Sequence, residues 1–377
     1  MAVERVRHLD ILHVLSGIGD SCNIRGISSG QNQNASRSPI GTDTMTNFVP
    51  DTEPAERTAG VHPADMAARV DSSVDAAVKL SDVLSKEEMQ PFMARSDARA
   101  WWMVFVNALT FAGAFALPAL WPNPLTILLS VLILGGRQLG LAIFYHDCSH
   151  GVFFKTRWLN DLVGHWVAGG LLNTSMYAYR AYHLKHHQFA GTEEDPDLGI
   201  ARAYPTTPDS MRRKFGRDLS GRTGFKSLKG QIAKFGLKRN LSFIIAHSLL
   251  IAALWAAGIL WTYVLWWVAY VFVHQLITRL RFMGEHGVCV DLLSPDAREN
   301  TCTTRVSWWE RLLIAPNYVN YHLEHHLSAA VPCYRLKPLH KLLTEKGFFD
   351  DFDCLSHGYV DVVKRAMRTD KAELAPA

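Results

Sequence analysis

The chain is poor in the features that mark disulfide scaffolds and nucleic-acid binders. Its six cysteines, Cys22, Cys148, Cys289, Cys302, Cys333 and Cys354, are scattered over 377 residues, and no two form a C-x-x-C pair. That speaks against a disulfide framework and against thiolate metal ligation, and makes a reducing compartment the expectation. The net charge is only +4. No recognition-helix or aromatic-basic motif is present, so nucleic acid is not an expected partner. The N-terminus lacks the basic start, apolar core and small-residue cleavage site of a secretory leader, and its apolar run Ile11 to Leu15 is too short for one. Residues 1–75 carry few structural signals and a polar stretch at Gln31-Asn32-Gln33-Asn34-Ala35-Ser36, which predicts disorder.

Two long blocks lack charge altogether. Ala100 to Gly136 holds no Asp, Glu, Lys or Arg, and turns at Leu120-Trp121-Pro122-Asn123-Pro124. Asn240 to Thr278 is a second such block, with its midpoint at Gly258-Ile259-Leu260-Trp261-Thr262. Each is too long for one membrane span and right for two. The reading is an all-α integral membrane fold: four transmembrane helices, at about 100–119, 123–141, 241–258 and 261–279, arranged as two hairpins. A buried helix pair in a soluble protein is the plainer alternative. Between the blocks, Arg202 to Arg239 holds eleven Lys or Arg against Asp209 and Asp218 alone. Such a run fits a cytoplasmic membrane surface. A surface helix is expected over 76–99, a membrane domain over 100–345 and a cytoplasmic tail over 346–377, fraying from Thr369. Asn160 to Tyr179, apolar but interrupted, reads as one or two interfacial or re-entrant helices.

What the chain does have is histidine at ligand spacing. His146 and His150 stand at i and i+4. His183, His186 and His187 stand at i, i+3 and i+4, and so do His322, His325 and His326. On a helix such positions share a face. With the basic loop on the cytoplasmic side, both hairpins open to that side and every cluster falls on that one face, in a helical cap. Eight imidazoles exceed the needs of one metal; they suit two, and nitrogen-rich redox-capable coordination points to iron. Two other readings stay open. The first cluster resembles the zinc-protease H-E-x-x-H pattern with Asp147 in place of the glutamate, although that leaves six histidines unused. A metal transporter would place its ligands inside the spans rather than beside them.

The order H-x3-H, H-x2-H-H, H-x2-H-H with four spans resembles the membrane-bound fatty acid desaturase and hydroxylase superfamily, from about residue 100 to 340. The resemblance implies a centre of two iron ions, O2 as co-substrate, and two external electrons. It implies oxidation of a lipid or acyl chain, with a C=C bond as the product, or hydroxylation or ketolation in some members. It also implies a ninth ligand, matched here by His286 in Glu285-His286-Gly287. Phe282 stands where some members carry a water-bridged asparagine. Front-end members start the third cluster with glutamine and carry a fused haem domain. Here His322 starts it and nothing before residue 100 resembles such a domain, so a separate electron donor of ferredoxin or cytochrome b5 type is expected.

The expected metal ligands are therefore His146, His150, His183, His186, His187, His286, His322, His325 and His326. Asp147, Asp195, Asp197, Glu285, Asn320 and Glu324 are candidates for orienting them. Arg279 and Arg281, at the end of the second hairpin, are candidates for lipid phosphates or a substrate head group, with membrane-edge anchoring as the plainer reading. His165, His247, His274 and His340 are read as core histidines outside the site, and His8, His13, His62 and His357 as surface residues. Gly135 and Gly136 are expected to allow close helix approach.

Overall fold

The computed structural model describes residues 78–367. The expected disorder over 1–75, the fraying from Thr369, and His8, His13, His62 and Cys22 lie outside the described residues. The described chain is mostly helical. Where one surface helix was expected over 76–99, two short ones form, α1 (Leu80–Val83) and α2 (Lys86–Met93). Ser85 divides them, because its hydroxyl caps the Glu88 amide while the Glu88 carboxylate returns to the Ser85 amide.

The first uncharged block folds as α3 (Asp97–Leu120) and α4 (Pro124–Ser149). The turn between them is chemically specified. Asn123 caps the amides of Leu125 and Thr126, and Pro124 takes the first helical position, where its missing N–H costs nothing. The second block folds as α9 (Leu241–Ala256) and α10 (Leu260–Gly287), reversing at Gly258 with φ +71°. Three of these helices, α3, α4 and α10, are long and apolar enough to cross a membrane. The fourth is shorter than the sequence suggested. Its 16 residues span roughly 24 Å at the helical rise, against about 30 Å of hydrocarbon. Much of α3 and α9 presents bare apolar side chains, among them Trp102, Phe105, Leu109, Leu249 and Trp255. Water disfavours a surface of that kind, and lipid does not.

Between the hairpins run α5 (Arg157–Asp161, continuing through Leu162–Gly169 and Gly170–Leu172), α6 (Met176–Phe189), α7 (Pro208–Leu219) and α8 (Arg222–Ala233). Asn173, at φ 53°, breaks α5 from α6. The helices after α10 include α11 (Trp308–Leu313), α12 (His322–Leu327) and α13 (Cys333–Glu345). The chain is not purely α. Strand β1 (Thr303–Arg305) pairs in parallel with β2 (Leu355–His357), just before α14 (Tyr359–Arg365). Three-residue strands leave no alternating pattern long enough to read in a sequence.

Close packing joins these parts at α4. A Cβ on Gly135 would lie 2.5 Å from Val273 Cγ1 of α10, and one on Gly136 would lie 2.5 Å from the Leu313 carbonyl oxygen of α11. Both glycines therefore admit a neighbour that no other residue could. Next to them the buried guanidinium of Arg137 donates to the Arg311 and Leu312 carbonyls at 3.1 and 2.5 Å. These are end carbonyls of α11, which have no partner within their own helix. A cation in a long apolar helix is thereby placed where the fold supplies acceptors.

Candidate metal centre

The first cluster sits on the last turn of α4, the second on α6, and the third is α12 itself. His286 lies in the wider π turn, Met283–Gly287, that ends α10. The fold brings all nine imidazoles together, in two groups. His146, His150, His183, His187 and His325 form one, and His186, His286, His322 and His326 form the other. Within each group the ligand atoms lie within 4.8 Å of one another, so each group can hold a metal ion. Among the described residues no cysteine joins either group.

The partition follows helix geometry. From residue i, position i+4 is rotated by about 40° and position i+3 by about 60° the other way. So His183 and His187 stay together while His186 turns to the second group. In α12 the same spacing acts with the groups exchanged: His322 and His326 stay together and His325 crosses over.

The inward nitrogens crowd. Nε2 of His187 lies 3.1 Å from that of His183 and 2.9 Å from that of His325. Nε2 of His322 lies 3.0 Å from that of His286 and 3.2 Å from that of His326, and His186 meets His326 at 3.2 Å. On the outer side, ring nitrogens are occupied. His146 Nδ1 donates to Asp147 at 3.0 Å, His186 Nδ1 to Asp195 at 2.7 Å, and His286 Nδ1 to the Asn300 carbonyl at 3.2 Å. His322 Nδ1 faces Glu285 at 3.5 Å. A neutral ring whose Nδ1 carries the proton turns a bare lone pair inward from Nε2. Lone pairs about 3 Å apart repel unless a cation lies between them. Two nitrogens bound at 2.0–2.1 Å stand about 2.9 to 3.4 Å apart for bond angles of roughly 90 to 109°. The residues present therefore fit a pair of nitrogen-ligated metal ions.

Burial keeps most of these rings neutral. It pushes His150 down to about 3 and His187 down to about 2, with neighbouring imidazoles adding to the effect. His183, His322, His325 and His326 are held well below the usual range for the same two reasons. His186 goes the other way. Burial lowers it, but the Asp195 hydrogen bond and the Asp197 charge outweigh burial and raise it. The same contact lowers the Asp195 carboxyl, against its burial, which favours a carboxylate that accepts the His186 Nδ1 proton.

Of the candidate orienting groups, Asp147, Asp195, Asp197 and Glu285 face imidazoles, Asp197 at 3.7 Å from His186 Nδ1. Asn320 and Glu324 face none of the nine. Asn320 Nδ2 donates to the Thr304 carbonyl at 2.9 Å. Glu324 sits two residues from His322 and His326, on the far side of α12, where it accepts from Thr303 at 2.6 Å and meets His340 at 2.5 Å. His340, read as outside the site, thus supports the third cluster from behind. Arg279 and Arg281 are each engaged by an acid of the chain itself. Arg279 pairs with buried Asp218 at 2.5 Å, and Arg281 pairs with Glu285 at 2.6 Å. Pairing with acids on the α7 end and on α10 itself draws both guanidiniums inward. His247 is a core histidine as expected, bonded to Tyr263 and the Leu171 carbonyl. Asn300, Thr303 and Cys333, whose amide donates to Asp147 at 2.7 Å, carried no sequence signal. They act through backbone atoms or from distant segments.

A cavity of about 120 Å³ opens against His146, His183, His186, His286 and His322. Its other walls include Leu139, Ile143, Tyr145, Tyr179, Arg281 and Phe282.

Residues 122–352 match the family model described as fatty acid desaturase. The chain belongs to the fatty acid desaturase family. Its relatives include an sn-1 oleoyl-lipid 12-desaturase of Synechocystis sp., 27% identical over 301 residues, covering 71% of this chain and 82% of that one. A dihydrorhizobitoxine desaturase of Bradyrhizobium elkanii is 25% identical over 238 residues, covering 57% and 66%. A β-carotene ketolase of Paracoccus sp. is 28% identical over 246 residues, covering 63% and 86%. These relatives support an oxidoreductase of lipid metabolism, and desaturases and ketolases stand at similar distances from the chain within the desaturase family.

Proposed function

We propose that this chain is an O2-dependent lipid desaturase, and that His146, His150, His183, His186, His187, His286, His322, His325 and His326 hold two iron ions. The convergence of inward Nε2 lone pairs in two buried groups carries the reading. When bound, the iron pair supplies O2 activation and the removal of two hydrogens from adjacent methylenes, with two electrons from a ferredoxin or cytochrome b5 type donor. The protein's part is placement. Asp147, Asp195 and Asp197 fix the Nδ1 protons of His146 and His186 and so aim their Nε2 atoms. Leu139, Ile143 and Phe282 line the cavity beside the histidines and keep water from the reacting carbons. In this reading residues 100–345 form the catalytic membrane domain and α9 serves as a fourth span. Both hairpins open toward the basic loop, on the cytoplasmic face. The inner ends of α4 and α10, where the histidines begin, support that topology.

A second reading, hydroxylation or ketolation at the same centre, is favoured by the ketolase relatives. Expression in a host of known lipid and carotenoid content, followed by profiling of both, separates the two. New double bonds in acyl lipids support desaturation; a new hydroxyl or keto group supports the alternative. Metal analysis of the purified protein should give about two irons per chain. One zinc per chain, or full oxidation by His325→Ala, would overturn the centre.

A further inference from the structure

The cavity beside the histidines is lined with hydrogen-bond donors that the protein leaves unused. Arg281 spends only its Nε, on Glu285 at 2.6 Å, and its two terminal nitrogens have no partner among the described residues. The hydroxyls of Tyr145 and Tyr179 likewise bond to no described residue. Their rings meet edge to face at 4.8 Å, and both hydroxyls feel the Arg281 charge. All three side chains line the cavity.

These donors stand next to the metal centre. Glu285, which holds Arg281, lies 3.5 Å from His322, and the Tyr179 ring stacks on His183 at 5.1 Å. A plain hydrocarbon segment threaded here would leave the donors buried and unsatisfied, which is unfavourable. The matching ligand brings an acceptor. Because Glu285 balances the charge of Arg281, that acceptor can be neutral or anionic.

We infer that the substrate carries a carbonyl or carboxylate oxygen, held by Arg281, Tyr145 and Tyr179, close to the carbons that are oxidised. The substrate class is thus a compact oxygenated lipid or acid that reacts near its polar end. Oxidation in the middle of a long unsubstituted chain does not match these donors. This deepens the desaturase reading and rests on it for the location of the reacting carbons.

Isothermal titration of the detergent-solubilised full chain, without electron donor, tests it with three probes: octanoate, methyl octanoate and nonane. Partition into the micelle is common to all variants, so the ratio of wild-type to variant affinity is read. Arg281→Met should weaken the better oxygenated probe about tenfold or more, the loss of a charge-assisted hydrogen bond. Tyr145→Phe and Tyr179→Phe, which keep the ring packing, should each weaken it about threefold. Nonane should change by less than about twofold in every variant. A preference for octanoate identifies a free acid, and one for the ester identifies a lipid-bound acyl group. Oxygenated probes that bind every variant as they bind the wild type, or that do not bind the wild type, overturn the inference. If Arg281→Met does not fold, the two tyrosine variants decide. Because no turnover is involved, a failure of lipid profiling to show oxidation leaves this result standing, and the reverse holds as well.

Discussion

Five imidazoles meet in one group and four in the other, yet the smaller group has more support from outside. In the four-histidine group, His186 leans on Asp195 and Asp197, His322 faces Glu285, and His286 donates to the Asn300 carbonyl. In the five-histidine group, the contact of that kind is His146 with Asp147. One group has a ligand to spare, and the other has its ligands locked in place. Number and orientation are two routes to the same end, since a surplus ligand tolerates misalignment that a minimal set cannot.

The sharpest way to break this contrast is to remove one imidazole from each group. His326→Ala should cost about one metal per chain and abolish oxidation, because it takes a ligand from the group that has none to spare. His187→Ala should keep nearly the full metal content while lowering activity, because four ligands remain. Metal analysis on both decides, and equal losses would end the distinction. The next largest effect is a control at an ion pair that belongs to neither group. Asp218→Ala leaves Arg279 buried and unpaired, at about 3–5 kcal/mol of stability, measured by thermal unfolding. The metal ratio of the folded fraction should not change. Replacing the supports comes next. Asp195→Asn should weaken the four-histidine site about 10–100-fold in chelator competition. Asp147→Asn should move the five-histidine site less, since four other ligands hold it. The smallest effect belongs to Glu324→Gln. It keeps the shape but loses the charge facing His340 and Thr303, for about 1–2 kcal/mol, with metal content intact.

The histidines were legible because ligand chemistry forces a spacing, and a spacing survives in sequence. Their division was not, although helix geometry determines it once the groups are known. The carboxylates split by the same logic. Asp147 adjoins its histidine in the chain, and Asp195 reaches His186 through a short loop, so both could be named. Glu324 was misread because proximity in sequence is not proximity on a helix face. The long helices were visible in the charge gaps. The shortness of α9 was not, since a charge gap measures where charge is absent and gives no helix end. The acid partners of Arg279 and Arg281 were not legible, Asp218 because of its distance along the chain and Glu285 because of its place beside His286.

The pairing of β1 with β2 has a consequence for how the molecule comes to exist. The third histidine cluster lies between the two strands, and Thr303, which holds Glu324, also donates its amide to the Cys354 carbonyl at 2.9 Å. During synthesis the cluster is made before residue 355 has been added. The segment that fastens it arrives last, across a long loop whose closure is entropically slow. Both hairpins can be inserted and packed while that cluster still hangs free. The newborn enzyme thus passes through an interval in which its scaffold is built and its reactive centre is not.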